Sequence, residues 1–373
     1  MKIGLLSFHT AANFGAALQA YALQDFLESK GFDVEYLDYQ NHYRRMVYDM
    51  PYRIKVCIRN GKIIDALTFA LGLPIMNIRK RKFVKFSQKY LHISSKTFYT
   101  PQELKASNCL YNKFIVGSDQ VWNPRNNGRD ISYLLDFVED KSKTISYSSS
   151  FGILEVPDFL REDYARCLSQ IQYLSTREQS GVNIIKEITG RDAKLVLDPV
   201  FLLTKEQWKI LAYDSPEDGE FLFSYTNRKD QMANFLKTTG YDISSMKHHK
   251  LSRYTTIRDF INPLIKVKYD MSPIEFLSNI SGAKLVISAS FHCISLSIIL
   301  NRPFICFLTG DDGKDERLKT LLTHFGLWDR VYRKDMALED VLRPIDWDNV
   351  NRLLEEKRRE SISFLLNSLN SII

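Results

Sequence analysis

The opening of the chain alternates a short apolar run, a helical pattern and a second apolar run, and this alternation constrains the fold more than any other feature. Residues 2–8, KIGLLSF, are typical of a buried strand. Residues 12–31 place apolar side chains at helical spacing and finish on Gly31, a usual helix end. Residues 32–39, FDVEYLDY, alternate as a strand does. The pattern predicts a β–α–β unit, and therefore a parallel sheet with helices on both faces.

The same alternation recurs along the chain of 373 residues, a length that suggests two domains. The clearest polar break is DSPEDG at 214–219, and a second series of strands and helices follows it. We therefore predict an α/β protein with two Rossmann-like lobes, residues 1–210 and 211–373. The second lobe is predicted to end in a long helix at about 346–371, where apolar residues form a stripe.

Composition excludes several classes of protein. Hydrophobic residues make up 45% and charged residues 25%, as in folded globular proteins. No apolar run is long enough for a transmembrane helix, and no secretory signal pattern is expected at the start. Five scattered cysteines without a CxxC pair indicate reduced thiols and a cytoplasmic location. No metal site is expected, because the neighbours His248 and His249 lack partners at zinc spacing.

The net charge of +7 is concentrated in residues 41–90, which hold 12 Lys or Arg and 2 Asp or Glu. Apolar residues are interleaved with these charges. One interpretation is a solvated helical face. Another is contact with an anionic surface, either lipid head groups or a lipid-linked diphosphate. Nucleic acid comes third, since no nucleic-acid-binding motif accompanies the charge.

Ligands of open parallel sheets bind beyond the carboxyl ends of the strands, so polar residues just after each strand are candidates for a site. The first such loop contains Asn13, Phe14 and Gly15 at the start of the first helix. Free backbone N–H groups at a helix start suit an anion or a polar ligand. An ordinary tight turn explains the same residues, and the absence of GxGxxG argues against a dinucleotide.

The stretch FIVGSDQVWNP at 114–124 ends a buried strand in Gly-Ser-Asp, with Trp122 close behind. Asp119 lies where a carboxylate could act as a base on a hydroxyl group. The alternative is that Ser118 or Asp119 caps the next helix. One residue could do both.

Arg177 follows the strand QYLS in the step STRE. Its planar guanidinium could hold a phosphate or a carboxylate. A structural pair with Glu178 explains it equally well. Asp198 precedes Pro199, and the pair is expected to mark a turn near the crossing between the lobes.

His292 lies between the apolar strand AKLVIS and the apolar helix CISLSIIL, at the predicted helix start. Ser288 and Ser290 are the capping candidates there. A lone histidine is usually structural, but its position after a strand of the second lobe favours a catalytic or anion-binding role equally.

Taken together, these segments resemble the polysaccharide pyruvyl transferase family. The matching stretches run in family order over roughly residues 3–327 and include ANFGAALQAYAL, FIVGSDQVWNP, SYSSSFG, STRE, LVLDPVFLL, SPIEFLSNISGAKLVISASFHCISLSIILNRPF and DERLKTLLTHFGL. The resemblance implies a glycosyltransferase-B-like fold with the active-site cleft between two Rossmann-like lobes. It also implies phosphoenolpyruvate as donor and co-substrate, a sugar acceptor, and neither metal nor other cofactor.

The resemblance also assigns roles. His292 and Asp119 are the expected catalytic residues, and Arg177 joins His292 in binding the donor. Many relatives carry an arginine two residues before the histidine, where this chain has Ser290. Arg317 is therefore a further candidate for holding the donor. Acceptor contacts are expected from residues of the first lobe: Asn13, Phe14, Gly15, Asp119 and Trp122.

The expected activity is transfer of a pyruvyl group from phosphoenolpyruvate to sugar hydroxyls, forming a ketal during bacterial cell-surface polysaccharide or capsule synthesis. The acceptor would be carried on a membrane lipid, which gives residues 41–90 a use in peripheral membrane contact at the inner face. Two alternatives remain: a glycosyltransferase that uses a nucleotide sugar, and a carbohydrate-binding relative without catalysis.

Overall fold

The computed structural model describes residues 1–213, 221–242, 246–251, 264–268 and 270–370, with backbone only at 68, 69, 71–77 and 229. The chain forms two compact units. The first comprises Met1–Leu202 and the C-terminal residues from Glu360, and the second comprises Leu203–Arg359. The predicted polar break at 214–219 lies outside the described residues.

The first unit contains a five-stranded parallel sheet in the order β3-β2-β1-β4-β5, beside a two-stranded parallel pair β6-β7. The central strands are buried on both faces, which explains why they appear as continuous apolar runs rather than alternating ones. Ile3 pairs with Val34 on one side and with Lys113 on the other. The strands are β1 (Lys2–Leu6), β2 (Asp33–Tyr39), β3 (Ile93–Phe98), β4 (Lys113–Val116), β5 (Thr144–Ser146), β6 (Ser175–Thr176) and β7 (Lys194–Leu195).

Helices connect these strands, as the β–α–β pattern predicts. The first begins where the Asn13 side chain accepts a hydrogen bond from the N–H of Ala16, and Gly31 follows its end with φ +82°. The helices of this unit are α1 (Phe14–Ser29), α2 (His42–Tyr48), α3 (Met50–Arg59), α4 (Ile63–Tyr90), α5 (Pro101–Lys105), α6 (Pro124–Asn127), α7 (Asp158–Gln170) and α8 (Gln179–Thr189).

The second unit repeats the topology of the first. Its parallel sheet has the order β10-β9-β8-β11-β12. The strands are β8 (Phe221–Tyr225), β9 (Lys247–Leu251), β10 (Ile265–Val267), β11 (Leu285–Ser288) and β12 (Phe304–Cys306). The helices from here to the end of the described chain are α9 (Lys205–Ala212), α10 (Lys229–Thr239), α11 (Pro273–Gly282), α12 (Phe291–Ile299), α13 (Asp312–Phe325), α14 (Leu338–Leu342) and α15 (Trp347–Asn370).

Both sheets therefore follow the strand order 3-2-1-4-5 of a Rossmann-like fold, which confirms the predicted fold class. In such a sheet the connections leave the first strand towards one edge and the fourth strand towards the other. A crevice opens beyond the carboxyl ends of these two neighbours. In the first unit the neighbours are β1 and β4, and in the second they are β8 and β11. The active-site cleft predicted between the lobes stays a prediction.

Candidate functional site

The crevice of the first unit is lined by the loop after β4, which contains Asp119. The backbone of Asp119 is left-handed, with φ 78°, and that of Ser148 in the loop after β5 is left-handed too, with φ 58°. Non-glycine residues adopt this conformation at a cost and concentrate at functional sites. The two loops are tied together, because Asp119 and Ser149 form a parallel bridge and the N–H of Ser150 donates to the Asp119 carbonyl at 3.1 Å.

Behind this loop lies a buried ionic network centred on Arg177. Its Nη1 donates to Asp198 Oδ2 at 2.5 Å and to Ser118 Oγ at 3.0 Å. Ser118 in turn donates to the same carboxylate oxygen at 2.6 Å. The side chains of Arg177 and Asp198 are 1% and 0% exposed, so the charges compensate each other away from water.

The same guanidinium lies beside Asp119, with Nη2 3.6 Å from Asp119 Oδ1. The Asp119 side chain is 18% exposed, whereas that of Arg177 is 1% exposed. Asp119 Oδ1 also accepts a hydrogen bond from the N–H of Gln120 at 2.8 Å. Asp119 is thus a partly accessible carboxylate held from behind by a buried cation, an arrangement that can orient it towards a hydroxyl group.

Glu178, the residue that follows Arg177, has a structural role. Glu178 is fully buried and its Oε1 accepts from the N–H groups of Phe151 and Gly152, at 2.7 and 3.2 Å. Its Oε2 lies 3.9 Å from Arg177 Nε, much farther than Asp198 does from Nη1. The expected pair of Arg177 with Glu178 is therefore present, but Asp198 is the closer of the two buried carboxylates.

The interpretation of Ser118 or Asp119 as the cap of the next helix is wrong. The next helix, α6, is capped by Asn123, whose side chain accepts from the N–H of Arg125 at 3.0 Å. Trp122 is fully buried and its indole N–H donates to the carbonyl of Tyr133 at 2.9 Å. The tryptophan therefore supports the loop from below, and its predicted contact with an acceptor stays a prediction.

The loop after β1 reaches the same edge of the sheet. Ser7 Oγ donates to the carbonyl of Ser118 at 3.0 Å, which joins the loops after β1 and β4. Asn13 is exposed and caps α1, whereas Phe14 and Gly15 are buried at the helix start. Contact of these three residues with an acceptor also stays a prediction.

In the second unit, Ser290 and His292 begin α12, directly after β11 at the crevice of that sheet. Ser290 occupies the capping position, and its N–H donates to Ser288 Oγ at 3.0 Å. His292 is mostly buried and packs edge-on against Phe291, with ring centroids 5.2 Å apart. The first N–H groups of the helix and the imidazole therefore share one location, which suits an anion.

Arg317 comes from α13 to the same location. Its guanidinium carbon lies 5.8 Å from the ring centroid of Phe291, the neighbour of His292. The structure thus brings a cation from another helix towards Phe291, the residue between Ser290 and His292.

Both histidines of β9 form hydrogen bonds with other side chains of the second unit. His248 Nε2 lies 2.7 Å from Ser224 Oγ, and His249 Nδ1 lies 2.7 Å from Asn279 Oδ1. Among the residues that the structure describes, no group of three or more His, Cys, Asp or Glu side chains is arranged to hold a metal ion.

A comparison with protein-family models identifies the chain. The model described as polysaccharide pyruvyl transferase matches residues 13–311. The chain belongs to the polysaccharide pyruvyl transferase family. No curated protein sequence matches it significantly.

Solved structures similar to this chain show the fold alone, since their sequence identity is low. UDP-GlcNAc 2-epimerase from Neisseria meningitidis, bound to UDP-GlcNAc, shares 10% identity over 99% of each chain, with a TM-score of 0.50. A putative UDP-N-acetylglucosamine 2-epimerase from Listeria monocytogenes shares 8% sequence identity over 100% of this chain and 97% of the epimerase chain, with a TM-score of 0.53. AviGT4, a glycosyltransferase involved in avilamycin A biosynthesis, shares 10% sequence identity over 100% of this chain and 99% of the AviGT4 chain, with a TM-score of 0.50.

The basic segment, residues 41–90, forms helices α2, α3 and α4. The end of α3 and the start of α4 expose large apolar side chains: Ile58 is 55% exposed, Ile64 80% and Leu67 61%. Arg59 and Lys62 are exposed between them. Within the described part of the chain, no helix is both long and apolar enough to cross a membrane.

Sequence reasoning missed two residues of the first crevice. Asp198 lies at a turn, as expected, since its Oδ1 accepts from the N–H of Val200 at 3.1 Å, but it is also the buried counter-ion of Arg177, which the sequence does not indicate. His9 follows β1 and is 1% exposed, and it was not singled out. Its position just after the first strand was the available signal, since the same rule selected Asp119 and His292.

Proposed function

We propose that this protein transfers a pyruvyl group from phosphoenolpyruvate to hydroxyl groups of a sugar, forming a pyruvate ketal during bacterial cell-surface polysaccharide or capsule synthesis. The observation that carries the proposal is the family match over residues 13–311, which includes both crevices described above. The polar groups in each crevice are of the types that this chemistry needs.

The donor is assigned to the second unit. Phosphoenolpyruvate carries a phosphate and a carboxylate, so its site needs cations and N–H donors. The N-terminal N–H groups of α12, His292 and Arg317 supply such groups within one crevice. In this assignment Arg317 supplies the charge that Ser290 lacks. The predicted direct contact of Arg177 with the donor also remains part of the proposal.

The acceptor is assigned to the first unit, with Asp119 as the base that takes a proton from a sugar hydroxyl. The 3.6 Å separation of Arg177 Nη2 from Asp119 Oδ1 supports a second role for Arg177, that of keeping this carboxylate oriented.

The reaction balances without a metal or a redox step. His292, protonated beside the anionic donor, gives a proton to the terminal carbon of the enol. One sugar hydroxyl adds to the adjacent carbon and loses its proton to Asp119. Inorganic phosphate then leaves with the proton that Asp119 took up. A second hydroxyl closes the ketal ring, and its proton restores His292. General acid–base assistance of this kind is worth roughly 10²–10⁴-fold in rate.

The exposed part of α3 and α4 supports a lipid-linked acceptor. Apolar side chains such as Ile64 and Leu67, with Arg59 and Lys62 among them, suit the surface of an anionic membrane. We assign the protein to the cytoplasm, in peripheral contact with the inner face of the membrane through residues 41–90.

A second candidate function is glycosyl transfer from a nucleotide sugar, and the fold similarity to nucleotide-sugar enzymes favours it. Incubating the protein with phosphoenolpyruvate and a panel of lipid-linked sugars, while measuring phosphate release, tests the first function. Thermal shifts with phosphoenolpyruvate and with UDP-, GDP- and CDP-sugars separate the two. Stabilisation by a nucleotide sugar, without phosphate release, would favour the alternative. Sugar binding without turnover of either donor would indicate a non-catalytic relative.

A further inference from the structure

A buried arginine near the carboxyl end of β1 has no anionic partner among the described residues. Arg44 is 4% exposed, and its guanidinium carbon lies 3.8 Å from the ring centroid of Phe8 and 4.4 Å from that of Tyr48. No hydrogen bond or ion pair joins its side chain to any residue that the structure describes, and its Nη2 is buried. A buried cation held only by aromatic faces is costly unless something else supplies a counter-charge.

The nearby carboxylates are used by other groups. Asp130 accepts hydrogen bonds from the Tyr39 hydroxyl at 2.5 Å and from the Asn41 amide at 2.6 Å. Asp38 accepts from Thr97 Oγ1 at 2.6 Å and from a glutamine amide at 2.7 Å. Neither lies within 4.0 Å of the Arg44 guanidinium, the limit for an ion pair. Among the described residues, the buried guanidinium is therefore left without a carboxylate partner.

A second buried polar group also packs against Phe8. The ring of Tyr133 packs edge-on against Phe8, with centroids 5.1 Å apart. Tyr133 is fully buried and its hydroxyl has no hydrogen-bond partner in the described part of the chain. Buried hydroxyl groups are nearly always paired, so this one is expected to have a partner in the working protein.

His9, next to Phe8 in sequence, supplies a third buried polar atom without a hydrogen-bond partner among the described residues, its Nε2. Its Nδ1 lies 3.3 Å from the carbonyl oxygen of Ser7, which can only accept, so Nδ1 carries the proton. Burial lowers the pKa of His9 to about 4, with Arg44 adding to the effect and Asp38 opposing it, so the ring is neutral at pH 7. The buried Nε2 is then a hydrogen-bond acceptor with no donor among the described residues.

We propose that His9, Arg44 and Tyr133 form a binding site for an oxyanion that stands beside a hydroxyl group, as in a uronic acid or a sugar phosphate. The guanidinium and the tyrosine hydroxyl donate to the oxyanion, and His9 Nε2 accepts from the sugar hydroxyl. Phosphoenolpyruvate has no hydroxyl group to give to Nε2, which separates this ligand from the donor. The site lies on the edge of the sheet that holds Asp119, since Ser7 Oγ donates to the Ser118 carbonyl. Describing the ligand as the acceptor rests on the proposed function, whereas its binding does not.

The experiment measures thermal shifts and dissociation constants of the full chain with glucuronate, glucose 1-phosphate, inorganic phosphate and phosphoenolpyruvate. We expect one of the two sugar anions to bind, the uronate if the natural group is a carboxylate and the sugar phosphate if it is a phosphate. Tyr133→Phe, which removes only the hydroxyl, should weaken that binding about tenfold. Arg44→Met should weaken it about a hundredfold and leave the melting temperature without ligand unchanged or higher, since it removes an uncompensated buried charge.

Tyr164→Phe is the matched control, because the Tyr164 hydroxyl is equally buried but donates to the Trp122 carbonyl at 2.9 Å. It should lower the melting temperature and leave the dissociation constant unchanged. The proposal is overturned if neither sugar anion binds, if Tyr133→Phe and Arg44→Met bind as the wild type does, or if the same two variants lose phosphoenolpyruvate instead. Sugar-anion binding without any phosphoenolpyruvate turnover would reject the proposed function and leave this site standing.

Discussion

Arg177 Nη1 lies 2.5 Å from Asp198 Oδ2, and both side chains are almost fully buried. Breaking such a pair from one side leaves a buried charge without compensation. We expect Asp198→Asn to lower the free energy of unfolding by about 3–5 kcal/mol. Urea denaturation measures this change in the free energy of unfolding. The exposed pair Arg161–Glu187 is the control, and Glu187→Gln should lower the free energy of unfolding by about 1 kcal/mol or less. Equal small losses in both variants would contradict the buried network.

Asp119 provides a test that separates chemistry from stability. Asn adopts left-handed backbone readily, so Asp119→Asn should leave the unfolding free energy nearly unchanged. It removes the base, so phosphate release from phosphoenolpyruvate should fall roughly 10²–10⁴-fold. Ser148→Gly is the backbone control: it relieves the left-handed residue of the neighbouring loop, and we expect turnover to be retained. Full turnover by Asp119→Asn would remove Asp119 from the mechanism.

The strands and helices around these residues could be predicted, because their signals are local. The β–α–β opening and the end of α1 just before Gly31 follow from apolar spacing and the glycine signal within some forty residues. The rule that ligands bind beyond strand ends selected Asp119 and His292, and both lie in the crevices of their sheets.

What could not be predicted depends on pairings that the order of the strands creates. Asp198 reaches Arg177 because the two residues follow neighbouring parallel strands, β7 and β6. Arg44 and Tyr133 are separated by about ninety residues, and they meet at Phe8 only in the folded sheet. No periodicity in the sequence encodes such contacts, so local reasoning identified the candidates without their partners.

His9 should make stability depend on pH. Burial lowers its pKa from 6.5 to about 4, with Arg44 adding to the lowering and Asp38 opposing it. The unfolded chain therefore takes up the proton first as the pH falls below 6.5, and stability is lost from there down to about pH 4. His9→Asn keeps a donor for the Ser7 carbonyl and removes this titration. Between pH 7 and 4.5 the wild type should lose about 2–3 kcal/mol more than the variant in urea denaturation. If the free energy of unfolding of the wild type and of His9→Asn changed equally with pH, His9 would not be buried as described.

The exposed end of α3 and start of α4 predict binding to anionic membranes. Replacing Ile64 and Leu67 by Asp removes apolar surface and adds repulsion, so co-sedimentation with phosphatidylglycerol vesicles should fall at least tenfold. Ile210, 74% exposed on α9, is the matched control, and Ile210→Asp should bind as the wild type does. Binding that ignores phosphatidylglycerol content, or that survives the double substitution, would reject the membrane surface.

Phosphate release from ¹³C-labelled phosphoenolpyruvate in the presence of sugar acceptors, measured for the wild type and for His292→Ala, tests the proposed function most directly. We expect a ketal carbon signal in the wild-type product and at least about a hundredfold slower release by the variant, at an unchanged melting temperature. Release by His292→Ala at the wild-type rate would contradict the assignment of catalysis to the start of α12.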